Sequence, residues 1–297
     1  MVGIEFIGVE FFTSLVVLFV LLVASVQDIK SREVYDLLSL GLLFFAFGYR
    51  VIGIFESGWQ FFVSGIVGFL IFFLLSLFLY YAGQWGGADS KLLMGMGMLI
   101  GFDFIFTSLK EVSMYSGFEL VVFFVLLFSF GALWSLVFSL FMAVSHWKSF
   151  LEEFKVVFYK SKNYFYITII SSLLFLLLGI FIDVSILLFV IFILLAYFLF
   201  LFITAVERSS FFVQKDIVDL VEGDWLSETV FVGSKKIIAK KTLDRSDLKI
   251  LLKYYGSGKL ESVKIKEGVP FVPSFLLAYV FLIFGQNFFM LIFNLLY

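Results

Sequence analysis

Eight long apolar runs, parted by short polar breaks, are the feature of this sequence that most limits its fold. A helix needs about 20 apolar residues to cross the hydrocarbon of a bilayer, and such runs recur at 8–27, 37–55, 59–82, 90–106, 118–145, 164–182, 184–205 and 270–296. The chain is 62% hydrophobic, with only 15% charged residues and a mean hydropathy of +1.11. A water-soluble domain has no interior large enough for so much apolar surface. The expected fold is therefore an all-α polytopic membrane protein of about eight transmembrane helices, with a small α/β lobe before the last one. The expected parts are a seven-helix membrane domain over 1–206, the lobe over 207–268 and a final helix over 269–297.

The polar residues refine this plan. The first run follows Glu5 and Glu10 with no Lys or Arg before it, so it lacks the basic start of a cleaved signal peptide and reads as a span. Basic residues gather on the cytoplasmic side of membrane proteins. With the N-terminus outside, 19 of the 21 Lys and Arg fall inside, leaving only Arg50 and Lys110 outside. The segment 207–268 holds twelve of them with ten acidic residues. There, Thr229–Val232 and Lys236–Lys240 flank Gly233-Ser234 as a hairpin, Ser246–Tyr255 reads as a helix capped by Ser246, and Leu260–Lys266 as a further strand.

Several chemistries are excluded or disfavoured. With no Cys, disulfides, thiolate metal sites and a cysteine nucleophile are ruled out, and a single histidine, His146, argues against metal catalysis. No cofactor is expected. The 45 Phe residues lie inside the apolar runs and suit lipid and helix packing, so nucleic acid is not an expected partner.

Acidic groups are costly beside hydrocarbon, which singles out Asp28 and Asp89. Asp28 closes the first run in Val26-Gln27-Asp28-Ile29-Lys30-Ser31-Arg32; Asp89 opens the fourth in Gly83-Gln84-Trp85-Gly86-Gly87-Ala88-Asp89-Ser90-Lys91. The topology puts both at one depth on one membrane face. Two carboxylates close enough to share a proton can activate water for peptide hydrolysis without histidine, cysteine or metal. Gly86 and Gly87 would let a substrate strand approach. The plainer reading is that both are solvated interface groups, with Asp28 paired to Arg32 one helical turn on. Asp103, Glu56, Glu119 and Asp183 fall at the opposite face, and Glu152 and Glu153 in a mixed-charge loop. His146 reads as an interfacial anchor. The Met94-Gly95-Met96-Gly97-Met98 alternation reads first as close helix packing and second as a substrate channel.

These residues resemble the prepilin peptidases, a family of membrane aspartyl proteases bearing a Gly-x-Gly-Asp motif, and most closely their archaeal branch of preflagellin and prepilin peptidases. Asp28 through Asp36 matches the family's first aspartate and its basic loop, with Tyr35 where proline is common. Gly86-Gly87-Ala88-Asp89-Ser90-Lys91 matches the second motif, with Ala88 for the last glycine. Glu222-Gly223-Asp224-Trp225-Leu226 and Lys266-Glu267-Gly268-Val269-Pro270-Phe271-Val272-Pro273 are similar to the C-terminal region of archaeal members. The resemblance implies an aspartyl endopeptidase of the cell membrane, catalytic at Asp28 and Asp89 and facing the cytoplasm. It would remove the short basic leader of prepilin or prearchaellin precursors, with Lys91 tuning Asp89 and Glu33 and Asp36 holding the leader. Without a cysteine zinc motif, methyltransferase activity is not expected. A transporter or a noncatalytic scaffold of a filament-assembly machine are the alternatives.

Overall fold

The computed structural model describes residues 2–102 and 118–296, with side chains over 10–102 and 118–285. Asp103 and Lys110, and the end of the expected fourth span, lie outside the described residues. The chain forms two compact units, one of Met1–Leu136 with Val269–Tyr297, the other of Val137–Gly268.

The first unit contains α1 (Val2–Ser31), α2 (Asp36–Ser57), α3 (Trp59–Tyr81), α4 (Gly87–Ile100), most of α5 (Glu119–Ser145) and α10 (Val272–Leu296). Among the described residues, six helices of the chain are long and apolar enough to cross a membrane, α1, α2, α3 and α5 among them. The architecture is that of a polytopic membrane protein, but the expected count of eight is not reproduced. The 14 residues of α4 extend about 21 Å, short of the roughly 30 Å of hydrocarbon. The helix α10 runs over Val272–Leu296, 25 residues, and is apolar over Val272–Gly285, the part whose side chains are described.

Rather than crossing alone, α4 is packed between α2 and α3, with Leu92, Leu93, Met96 and Met98 fully buried. Glycines set its distance from its neighbours. A Cβ on Gly97 would stand 2.5 Å from the Gly68 carbonyl oxygen of α3, and one on Gly68 would stand 2.3 Å from that of Gly97. Gly95 likewise lies against the Leu43 backbone of α2. The Gly–Met alternation is thus a packing device, the first of its two expected readings.

The C-terminal end of α4 is held by Arg50. Its guanidinium is 2% exposed and donates to the last carbonyls of α4, Met98 O at 3.0 Å and Leu99 O at 2.9 Å, and to Phe61 O at 2.8 Å and Ser64 Oγ at 3.0 Å. It also stacks over the Phe61 ring at 4.1 Å. A cation at this end complements the helix dipole and satisfies carbonyls that have no partner within the helix.

The second unit contains α6 (Trp147–Lys160), α7 (Lys162–Phe181), α8 (Leu187–Val206) and a small α/β lobe. In the lobe, β1 (Phe212–Asp216), β5 (Ser262–Lys266) and β2 (Trp225–Leu226) make an antiparallel sheet in the order β1-β5-β2. Phe212 pairs with Lys266 and Asp216 with Ser262. Alternation along β5 buries Val263 and Ile265 against Ile217, Leu226, Ile238 and Leu251. The expected hairpin is present as β3 (Val230–Val232) and β4 (Lys235–Ile238). The expected helix is α9 (Arg245–Gly256), but its cap is Asp244, not Ser246. The Asp244 carboxylate accepts from the amides of both Ser246 and Asp247, two of the free N–H groups of the first turn.

Arg50→Met keeps most of the side-chain bulk while leaving four acceptors without their donor. It is expected to cost about 3 kcal/mol or more, seen as a lowered thermal unfolding midpoint in detergent. A midpoint equal to wild type would show that Arg50 does not hold α4.

Candidate active site

Asp28 stands in the last turn of α1. The helix stops there because Arg32 turns into the left-handed region at φ 59°, while its amide still donates to Asp28 O at 3.0 Å. The carboxyl is buried, 8% exposed, and its Oδ2 accepts the Val272 amide of α10 at 2.9 Å. Phe271 N–H is a further donor and Arg32 supplies nearby positive charge.

The segment that brings this amide is fixed from three sides. Trp134 Nε1–H donates to Pro270 O at 2.7 Å. Gly131 lets the Phe271 ring lie on α5, since a Cβ would stand 2.5 Å from it. Trp85, just before Gly86-Gly87, packs on Phe128, Phe271 and Phe275 with centroids 5.9, 5.1 and 5.7 Å away. Pro273, in the first turn of α10, needs no N–H partner there.

Asp89 lies in the first turn of α4, and its Oδ2 accepts Gly86 N–H at 3.1 Å. It retains some accessible surface, yet protein surrounds it closely enough to strip most of its hydration. Burial, and after it the negative charge of Asp28, push its carboxyl up to about 7, against a smaller opposite pull from Gly86 N–H. The two aspartates expected to act together are therefore within electrostatic reach. A Cβ on Gly87 would meet nothing within 4 Å, and one on Gly86 only Asp89 Oδ2. These glycines are not forced by local crowding and leave open space beside Asp89.

Lys91 and Asp36, given separate roles from the sequence, form an ion pair with each other between α4 and the start of α2. Glu33 is exposed. Tyr35 has the φ of −60° that proline would have, but its N–H donates to Gln27 Oε1 at 3.3 Å, a bond proline could not make. His146 is exposed at the joint between α5 and α6, with Nδ1 3.3 Å from Met142 O. Asp183 caps the turn before α8 through Ser185 N–H at 2.7 Å. Among the described residues, no three His, Asp or Glu side chains converge to hold a metal ion.

Sequence reasoning missed the Val272 amide and Trp134. Pro270 and Pro273 announced the start of a helix, but nothing local tells which carboxylate that helix end will meet.

Residues 15–144 match the Type IV leader peptidase family. The chain is similar to the preflagellin peptidase of Methanocaldococcus jannaschii, 37% identical over 81 residues, and to that of Methanococcus voltae, 41% identical over 88; each match covers 27% of this chain and 34% of the relative. The preflagellin peptidase of Methanococcus maripaludis is 35% identical over 81 residues, 27% of this chain and 35% of its own. The chain thus spans about a third of the length of the curated relatives it matches. No solved structure matches it.

Asp89 binds its proton more tightly when folded than at its ordinary value of 3.8. Below that value both states hold the proton and burial costs nothing. As pH rises towards about 7 the unfolded chain is ionised while the folded one resists, so stability is lost over that window. Asp89→Asn should unfold at the wild-type temperature near pH 4 and a few degrees higher above pH 7, measured by thermal melts in detergent. An offset independent of pH would contradict this.

Proposed function

We infer that this chain, whose residues 15–144 belong to the type IV leader peptidase family, is a membrane aspartyl endopeptidase. Its proposed substrates are archaellin or type IV pilin-like precursors, from which it removes the short basic leader. The observation that carries the reading is that Asp28 and Asp89 are both withdrawn from water, with the negative charge of Asp28 helping to hold the proton on Asp89. The similarity to preflagellin peptidases favours this over a transporter or a noncatalytic scaffold.

In the first step Asp28 takes a proton from water as the oxygen attacks the scissile carbonyl carbon, while protonated Asp89 donates to the carbonyl oxygen. The gem-diol intermediate then collapses: Asp28, now protonated, gives its proton to the leaving nitrogen, the C–N bond breaks, and ionised Asp89 takes back a hydroxyl proton, so that carboxylic acid and free amine result and the dyad is restored. The roles follow from the surroundings. Each carboxyl accepts a backbone N–H at its Oδ2, so the assignment rests on charge: Arg32 stands beside Asp28, whereas burial and the negative charge of Asp28 keep the proton on Asp89 up to about pH 7.

The excess of Lys and Arg beyond this end of the spans supports a site at the cytoplasmic membrane face, with the N-terminus outside. Asp36 and the exposed Glu33 suit a basic leader, which would compete with Lys91 for Asp36. Methyl transfer is not part of the proposal, as no cysteine is available for a zinc motif.

The test is cleavage of a membrane-inserted prearchaellin. Asp28→Asn and Asp89→Asn should each lower the rate by about a thousandfold or more while inserting normally, and normal cutting by both would overturn the dyad. The wild-type rate should fall as pH rises through about 7, where Asp89 loses its proton; a rate that climbs there would reverse the assigned roles. Trp134→Phe, which frees the Pro270 carbonyl, should lower kcat about tenfold with KM little changed, through loss of positioning at Asp28. An unchanged kcat would remove Trp134 from the site's support.

A further inference from the structure

The helix α3 ends in a tight reversal. Gln84 N–H reaches back to Leu79 O at 3.0 Å and Gly83 N–H to Tyr80 O at 3.0 Å, around Gly83 at φ 67°, a turn that glycine takes without strain. The reversal delivers Trp85, half-buried, to the aromatic cluster of α5 and α10, all within the first unit. Its ring lies nearly parallel to Phe128, with 17° between the planes, and meets Phe271 and Phe275 with centroids 5.1 and 5.7 Å away.

The residues on the two sides of this contact are the donors to the two carboxyls. Gly86, next to Trp85 in the chain, gives its N–H to Asp89. Phe271, against the Trp85 ring, gives its own N–H to Asp28, with the Val272 amide beside it. One indole therefore joins the donor turn of Asp89 to the donor turn of Asp28, two segments far apart in the sequence. The other charged groups at this end of the unit are Arg32, beside Asp28, Lys91 and Asp36, paired with each other, and the exposed Lys30 and Glu33. Tyr80 and Tyr81 are exposed at the end of α3.

We propose that Trp85 is a positioning residue of the dyad, the side chain that sets how closely Asp28 and Asp89 approach. A rigid ring packed between two backbone turns fixes their spacing to within the slack of van der Waals contact. A donor turn that shifts takes with it the hydrogen bond that aims its carboxyl. This role deepens the aspartyl reading and rests on it, because two carboxyls divide acid and base work over one water only when held close together. The effect of one carboxylate's charge on the other falls as they separate, so the coupling between them reports on the spacing that Trp85 sets.

The test follows the infrared band of a protonated carboxyl in the full chain in detergent, assigned to Asp89 by its loss in Asp89→Asn. In the wild type the band should disappear with a midpoint of about 7, and Asp28→Asn should lower that midpoint by removing the neighbouring charge. Trp85→Ala should lower it as well, by about one unit. Adding Asp28→Asn to Trp85→Ala should then move it much less than in the wild type, since both changes remove the same coupling. Trp85→Phe, which keeps a ring in place, should restore most of the midpoint. Phe271→Leu strips the contact from its other side and should act as Trp85→Ala does, which keeps the test decisive if Trp85→Ala fails to fold. A midpoint unchanged in these variants, or an Asp28→Asn shift as large in them as in the wild type, would overturn the proposal; a ring that only stabilised the fold would lower the melting temperature and leave that shift whole. Normal cleavage of prearchaellin by Asp28→Asn and Asp89→Asn would instead remove the peptidase reading while leaving the infrared titration to stand.

Discussion

The hydrogen bond from Val272 N–H to Asp28 Oδ2 joins residues 244 positions apart, and it is the contact on which the proposed site depends. A buried carboxylate is costly unless donors replace its lost water. The free amides at the start of a helix are well suited to this, because nothing inside the helix uses them. The first turn of α10 brings such amides to the end of α1. What holds it there is ordinary packing: Trp134 on the Pro270 carbonyl, Phe271 over Gly131 and Trp85 against both Phe271 and Phe275. The aromatic cluster beside the Gly86-Gly87 turn therefore touches the supports of both carboxylates at once.

The second aspartate is placed by a different economy. A 14-residue helix packed between longer ones leaves backbone groups without intrahelical partners at each end, and each end calls for a side chain to meet them. Asp89 supplies it in the first turn, accepting from Gly86 N–H, and Arg50 supplies it in the last. The charge of Arg50 also agrees in sign with the helix dipole. The tight contact through Gly68 and Gly97 leaves little slack between α3 and α4.

Much of this was legible in the sequence because burial and periodicity are local signals. Apolar runs mark their own helices, Gly233-Ser234 marks its own hairpin, and an aspartate at the end of an apolar run is conspicuous because it is expensive. What the sequence concealed depends on partners far along the chain. Arg50 looked like an interfacial residue, and only the approach of α4 and α3 reveals the carbonyls it serves. Lys91 and Asp36 were each read against the site, whereas a lysine and a carboxylate 55 residues apart found each other. The helix α6 was hidden by its own composition: Phe150, Phe154 and Val157, which turn to protein, alternate with Lys148, Glu152, Glu153 and Lys155, so the run reads as a loop.

The division of the chain bears on what its hydrophilic lobe can be for. Every described contact of the two aspartates, with Gly86, Phe271, Val272 and Arg32, comes from the unit formed by Met1–Leu136 and Val269–Tyr297. The lobe has a complete core of its own, built on Ile217, Leu226, Leu251, Val263 and Ile265, and shares its unit with α6, α7 and α8. Its polar pairs are also internal, Lys215 with Asp224 and Lys241 with Asp247. Among the described residues, the hydrogen-bond partners of the two carboxylates thus come from the first unit, and the lobe's core closes within the second. The proposed chemistry is built on the helices of the first unit, where Val272 and Gly86 supply the N–H donors to the two carboxyls.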